Sequence, residues 1–184
     1  MNSSTKVRAF VSIEFPDEVV KEVARVEEIL GKKQFTGKLT ELENLHLTLK
    51  FFGEIEESKL NEIRKRLRKI EFGKFEANLQ RIGTLGKRGN VRIVWIKVAG
   101  KEIFDLQKKI DASLNGLFKV EESFTSHLTV ARIKYVKDPK DFINYVNSIG
   151  LKKVKFSIKS FKLKSSELKP LGPIYGDIEL FDAK

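Results

Sequence analysis

The chain contains no cysteine. That absence removes disulfides, thiolate nucleophiles and cysteine-ligated zinc sites together, and makes a cytoplasmic setting the expectation. Methionine occurs once. No run approaches the ~18 consecutive apolar residues of a membrane-crossing helix, so no membrane association is expected. The opening Met1-Asn2-Ser3-Ser4-Thr5-Lys6 lacks the apolar stretch of a secretory signal. Neither a His-Glu-x-x-His zinc motif nor a glycine-rich phosphate loop is present. Histidine is nearly as scarce as cysteine: there are two, His46 and His127.

Positive charge is abundant. Thirty-six Lys and Arg stand against 25 Asp and Glu, a formal net charge of +11 in 184 residues. Such an excess attracts polyanions through long-range steering and counterion release. The apolar fraction of 41% is enough for a packed core. A charged fraction of 33% without cysteine leans toward a heat-adapted protein and carries no functional information. The length fits a single domain over 1–184, built as two lobes that share an interface.

The chain repeats itself. Phe10 to Phe15 has the β-branched and aromatic content of a strand. Pro16-Asp17 opens a helix whose apolar face is Val19, Val20, Val23, Val26 and Leu30. A strand over Leu45–Phe52, a helix marked by Leu60, Ile63, Leu67 and Ile70, and a strand over Phe75–Leu85 complete the first half. The second half follows the same series. It has a strand over Val91–Val98, a helix face of Ile103, Leu106, Ile110, Leu114 and Leu117, and a strand over His127–Ile133. A helix with Phe142, Val146 and Ile149, a strand over Phe156–Leu163, and an extra strand over Ile174–Phe181 end it. The expectation is an α+β, bilobal fold: two β-α-β-α-β halves, approximately 7–85 and 91–181, related by a pseudo-twofold axis. Antiparallel-rich sheets should line a central cleft. Gly86 to Asn90 reads as a basic turn between the halves, and Lys162 to Lys169 as a basic stretch flanking the cleft.

Both histidines open the same tetrapeptide: His46-Leu47-Thr48-Leu49 and His127-Leu128-Thr129-Val130. Residue frequencies supply His-aliphatic-Thr-aliphatic after a given histidine roughly once in a thousand. In a strand, alternate side chains share a face, so each histidine pairs with its threonine while the aliphatic residues enter the core. A twofold relation sets the two polar faces across one cleft. Opening a cyclic phosphodiester needs a base to activate water and an acid to protonate the departing oxygen, and imidazole suits both tasks near neutrality. The hydroxyls of Thr48 and Thr129 suit hydrogen bonding to phosphoryl oxygens as charge builds. Lys50 shares parity with His46 and Thr48 and is a candidate phosphate contact, with a solvent-facing place at the strand end as the alternative. Arg132 has the opposite parity to His127, so the same role for it requires a twist or a bulge. No acid near His127 in its strand completes a metal-binding triad, so neither a metal nor another cofactor is expected.

These residues resemble the two-histidine phosphoesterase superfamily, whose mark is a pair of His-x-Thr-x motifs. The similarity is closer to its RNA 2′,3′-cyclic phosphodiesterase branch, historically called 2′-5′ RNA ligase. It is carried by Arg8-Ala9-Phe10-Val11-Ser12-Ile13, by His46 to Gly53, by Ser126 to Arg132 and by Gly172-Pro173-Ile174-Tyr175. The resemblance implies a hydrolase that opens a terminal 2′,3′-cyclic phosphate to a 2′-phosphomonoester without metal. It implies His46 as proton donor and His127 as proton acceptor. It implies RNA with a cyclic phosphate end as partner, including tRNA halves joined by 2′-5′ ligation in reverse. No obligate protein partner is implied. Two other readings stand beside it: a phosphodiesterase for small cyclic or 2′-5′-linked nucleotides, and a non-catalytic RNA-binding module.

Overall fold

A computed structural model describes residues 6–87, 89–170 and 172–184. Met1 to Thr5 of the opening segment and Arg88 of the turn between the halves lie outside the described residues. The first half runs β1 (Lys6–Glu14), α1 (Asp17–Leu30), β2 (Thr36–Leu39), a 3-10 turn (Leu42–Asn44), β3 (His46–Glu56), α2 (Glu57–Leu67) and β4 (Phe75–Lys87). The second runs β5 (Asn90–Ala99), α3 (Lys101–Ser113), β6 (His127–Tyr135), α4 (Pro139–Ser148), β7 (Lys155–Ile158), β8 (Ser160–Lys169) and β9 (Gly172–Asp182).

Helix α1 begins where Pro16 fixes the entry and Asp17 and Glu18 face the positive end of the helix dipole. Its Val19, Val23, Val26 and Leu30 are fully buried. Valine is a mediocre helix former, so tertiary packing of this face sustains the helix. Helix α4 is capped by the Asp138 carboxylate, which accepts from the Asp141 N–H at 3.0 Å.

The strands form two antiparallel sheets, ordered β3-β1-β8-β9 and β2-β6-β5-β4-β7. Neither sheet belongs to one half of the chain. β4 leaves the first half to pair with β5, while β8 leaves the second half to pair with β1. Helices cross over as well. α1 packs on β6, and α3 packs on β3. α2 lies on β1 and β3, and α4 on β4 and β5. Each sheet therefore has one helix-covered face, and the chain halves interlock where the repeat alone suggested one lobe per half.

The stretch Phe156–Leu163 is two strands, not one. Phe156 and Ile158 are buried in β7, whereas Phe161 and Leu163 are buried in β8. The inward positions slip by one residue around Lys159, and there the chain passes from one sheet to the other. Lys162–Lys169 lies within β8 and is no loop. Strand β2 has no counterpart in the periodicity. Four residues with one aliphatic side chain carry no alternation to read, yet Gly37 lets β2 meet β6 closely. A Cβ there would lie 2.3 Å from the Arg132 carbonyl oxygen.

One buried side chain works against stability. Glu27 of α1 is 8% exposed, and one of its carboxylate oxygens has no hydrogen-bond partner. Burial, with the nearby Glu41 carboxylate, raises its pKa from 4.5 to about 7. The folded state thus holds this proton more tightly than the unfolded chain. Its presence weakens the fold as pH rises from 4.5 through 7, and to a constant extent above that. Glu27→Gln is expected to gain on the order of 1–3 kcal/mol above pH 7 and almost nothing at pH 4. Urea unfolding at the two pH values measures this, and an equal gain at both would show that ionisation is not the cause.

Candidate active site between the two sheets

β3 and β6 come together where the sheets meet, and one cleft there is lined by His46, Thr48, His127 and Thr129. The cleft volume is about 110 Å³, which suits a tetrahedral oxyanion with a few waters. The four motif side chains are thus brought together as their alternation requires. Leu47, Leu49, Leu128 and Val130 are buried on the opposite side of their strands.

The two histidines are held alike. His46 Nδ1 lies 2.7 Å from the Asn44 carbonyl oxygen, and His127 Nδ1 lies 2.8 Å from that of Thr125. A carbonyl only accepts, so each Nδ1 carries the hydrogen and each Nε2 of the neutral ring is left as the free nitrogen. Both anchors come from the residue two positions before the histidine, at the start of its strand.

The surroundings of the two rings differ. His46 packs against Phe10 and, edge-on, against Tyr175, with ring centroids 5.0 and 5.2 Å away. Burial lowers its pKa, the Asn44 carbonyl opposes the shift, and Lys164 and Arg132 add to it. His127 meets the edge of Trp95 at 6.0 Å. Directly across the ladder, Glu14 faces His46 and Lys97 faces His127.

Each motif strand carries a bulge immediately after its threonine. Opposite β3 the register jumps from Thr48 to Lys50, and opposite β6 from Thr129 to Ala131. The extra residues are Leu49 and Val130, separated by the same offset of 81 as the histidines. A bulge reverses the alternation beyond it. Leu49 and Lys50 therefore both turn inward, as do Val130 and Ala131.

The two basic candidates part company on this account. Arg132 returns to the cleft face and lines the cleft. Lys50 does not join it. It is 6% exposed, ion-paired with Asp111 of α3 and donates to the Lys119 carbonyl at 2.7 Å. Asp111 also accepts from Gln107 at 2.7 Å and from the Glu121 N–H at 3.0 Å. Sequence parity placed Lys50 beside Thr48, and the bulge overturns that.

Sequence reading missed Tyr175, Asn44, Lys38, Glu41 and Pro173, which also line the cleft. Tyr175 sits in the Gly-Pro-Ile-Tyr stretch that carries part of the family resemblance, but nothing in a single strand shows which distant ring it meets. Lys38 and Glu41, which form an ion pair, arrive on and just after β2.

Known proteins resemble this chain in sequence and fold. A family model described as LigT like Phosphoesterase matches residues 13–95 and 96–175. The chain is 34% identical to a Methanothermobacter thermautotrophicus protein named RNA 2′,3′-cyclic phosphodiesterase, covering 96% of this chain and 98% of that protein. A Methanocaldococcus jannaschii protein of the same name is 35% identical, over 92% and 96%. A crystal structure from Thermus thermophilus superposes with a TM-score of 0.77 at 25% identity, covering 95% of this chain and 97% of that one. The Escherichia coli LigT complex with phosphate shares the fold, with a TM-score of 0.73 at 18% identity over 98% and 99%. The chain belongs to the LigT-like phosphoesterase family.

The location of Lys50 has a measurable consequence. Lys50→Ala strands a buried carboxylate and is expected to cost about 3 kcal/mol in urea unfolding. Replacing both partners, Lys50→Met with Asp111→Leu, should recover most of that loss. Turnover per folded molecule should stay within about twofold in both variants, since neither residue reaches the cleft. A selective rise in KM with full stability would return Lys50 to the substrate.

Proposed function

We propose that the chain is an RNA 2′,3′-cyclic phosphodiesterase with His46 and His127 as its acid and base. The carrying observation is the pair of imidazoles in one cleft, each fixed through Nδ1 to a backbone carbonyl, each with Nε2 free. The names of the relatives support the substrate class. Terminal 2′,3′-cyclic phosphates of RNA, including those of tRNA halves, are the substrates of this reading, which places the enzyme in the cytoplasm. The whole chain acts as one bilobal domain, a view supported by a family model that matches in two stretches.

The reaction starts with His46 as imidazolium and His127 neutral. His127 Nε2 takes a proton from a water whose oxygen attacks phosphorus. The P–O3′ bond breaks, and His46 Nε2–H passes its proton to O3′, leaving a 2′-phosphomonoester. Thr48 and Thr129 donate hydrogen bonds to the non-bridging oxygens, and Arg132 balances their charge. Proton exchange with water resets the pair. With the 5′-hydroxyl of a second RNA end in place of water, the same groups open the cyclic phosphate, P–O5′ forming as P–O3′ breaks, and join the two ends through a 2′-5′ linkage.

The pH profile follows from His46. Its pKa lies below the ordinary 6.5 because the ring is buried. As the acid it must be protonated, so the alkaline limb of kcat/KM, which reports free enzyme, should fall below pH 6.5. A bound phosphate anion favours the imidazolium, so the corresponding limb of kcat should lie higher. His46→Ala should remove the alkaline limb, and His127→Ala the proposed base. Each should lower kcat/KM by about 10²–10⁴, and the double variant by far less than the product.

The assay is hydrolysis of an RNA ending in a 2′,3′-cyclic phosphate, followed by phosphorus NMR of the product in the presence of EDTA. Persistent activity yielding a 2′-monoester is the expected result. Full turnover by both alanine variants would remove this mechanism, and strict dependence on a divalent ion would replace it.

A further inference from the structure

The two walls of the cleft carry different charge. On the four-stranded sheet, Lys162 lies between Glu14 at 2.7 Å and Asp177 at 2.6 Å. Lys164 pairs with the same two carboxylates, at 2.9 Å to Asp177. Burial raises the Glu14 pKa, but hydrogen bonds from Lys162 and Lys164 outweigh it and keep the carboxyl ionised. Two ammonium groups and two carboxylates cancel, so this wall offers a polyanion little. Another cation of this sheet, Arg8, lies over the Phe51 ring at 4.6 Å.

The five-stranded sheet is the reverse. Lys97 stands directly across from His127, and opposed residues of an antiparallel pair share a face. One strand further on, the Arg81 guanidinium lies 5.0 Å from the centroid of the Trp95 ring. Trp95 in turn meets His127 and rests over Gly83, where an added Cβ would touch the indole at 3.4 Å. Among the described residues, none of Lys97, Arg81 and Arg132 has a carboxylate partner. The carboxylate on the outer face of β4, Glu76, sits toward the start of that strand and is engaged by Ser157.

Stacking does not use up Arg81. Its N–H groups radiate in the guanidinium plane, so a cation held over an aromatic face keeps its donors for phosphate oxygens. Trp95 is only 5% exposed and has no face left for a base. Its part is to hold Arg81 above the sheet. From His127 on β6 to Arg81 on β4 is two strand spacings, about 10 Å. Lys97 and Arg81 thus lead outward across the sheet from His127, while Arg132 lines the cleft itself.

We propose that the RNA strand leading into the scissile phosphate lies across the five-stranded sheet, with its upstream phosphates on Lys97 and Arg81. A strand ending in a 2′,3′-cyclic phosphate continues only through the 5′ oxygen of its last ribose, so one wall suffices for the whole polymer. The neutralised wall then faces the terminal nucleotide alone. This inference rests on the reading of the cleft as an RNA cyclic-phosphate site, and it adds that the enzyme prefers polymers and names the surface responsible.

The test compares a 2′,3′-cyclic nucleoside monophosphate with a ten-nucleotide RNA ending in the same group. The readout is the ratio of their kcat/KM values. Arg81→Gln with Lys97→Gln should lower that ratio about tenfold. The salt dependence of the ten-mer should weaken by about 0.7 in log–log slope for each phosphate that the protein no longer neutralises. Arg81→Gln alone, at an exposed position, should move both quantities the same way by about half on a logarithmic scale. Arg8→Gln, on the other wall, should leave the ratio in place. An unchanged ratio and slope in the double variant overturns the track, and so does a loss confined to Arg8→Gln. Failure of the unaltered protein to hydrolyse either substrate is a different outcome. It removes the cyclic-phosphodiesterase reading and this inference with it.

Discussion

A single extra residue after each His-x-Thr decides which groups meet in the cleft. Plain alternation sends positions His, Thr and the next-but-one residue to the same side. That would bring Lys50 and Ala131 to the cleft and turn Phe51 and Arg132 away. With Leu49 and Val130 inserted as bulges, the assignment reverses. Lys50 becomes one end of a buried ion pair to α3, and Arg132 comes to line the cleft. The bulge also strengthens local twist where β3 and β6 approach each other. Its recurrence at the same offset as the histidines makes it part of the repeated unit.

The repeat supplies two equivalent histidines, and the walls make them unequal. His46 is enclosed by Phe10 and Tyr175 and faces Glu14, while His127 stands by Trp95 and faces Lys97. Equal imidazoles serve poorly as acid and base at one pH, because the pair must hold a single proton in a defined place. Burial favours a neutral His46 in the free protein. A bound phosphate anion works against that preference in the complex. In the proposed mechanism the proton is thereby recruited to His46 when substrate arrives. Glu14, kept ionised by two lysines, sits directly opposite the ring that must receive it.

Much of this was legible in the sequence, and the unread parts have definite causes. The four helices, the motif strands and the shared face of His46, His127, Thr48 and Thr129 follow from periodicity and from the repeat. Arg132 was readable as a conditional, since its parity demanded a twist or a bulge, and a bulge is what the strand has. Lys50 was misread because bulges leave no mark on a hydrophobic pattern: a Leu-Lys step in a strand looks the same with or without one. The break at Lys159 was visible as a slip from Phe156 and Ile158 to Phe161 and Leu163. Continuous β-propensity hid it. Strand β2 and Tyr175 belong to another category, since their positions depend on distant partners, β6 for one and the His46 ring for the other.

The interlocking of the halves bears on catalysis through geometry. His46 sits on β3 in the four-stranded sheet, and His127 on β6 in the five-stranded one. Two lobes joined by a single linker would hinge, and the distance between the imidazoles would vary with them. Here β4 and β8 each carry one half of the chain into the other sheet, and α1 and α3 each cover a strand of the opposite half. The buried Lys50–Asp111 pair ties β3 to α3 just past the first motif. Opening the cleft would therefore require breaking ladder hydrogen bonds and core packing on both sides at once. Proton transfer from one imidazole and to the other in a single event tolerates displacements of only fractions of an ångström. A chain that swaps strands between its halves meets that tolerance with its backbone.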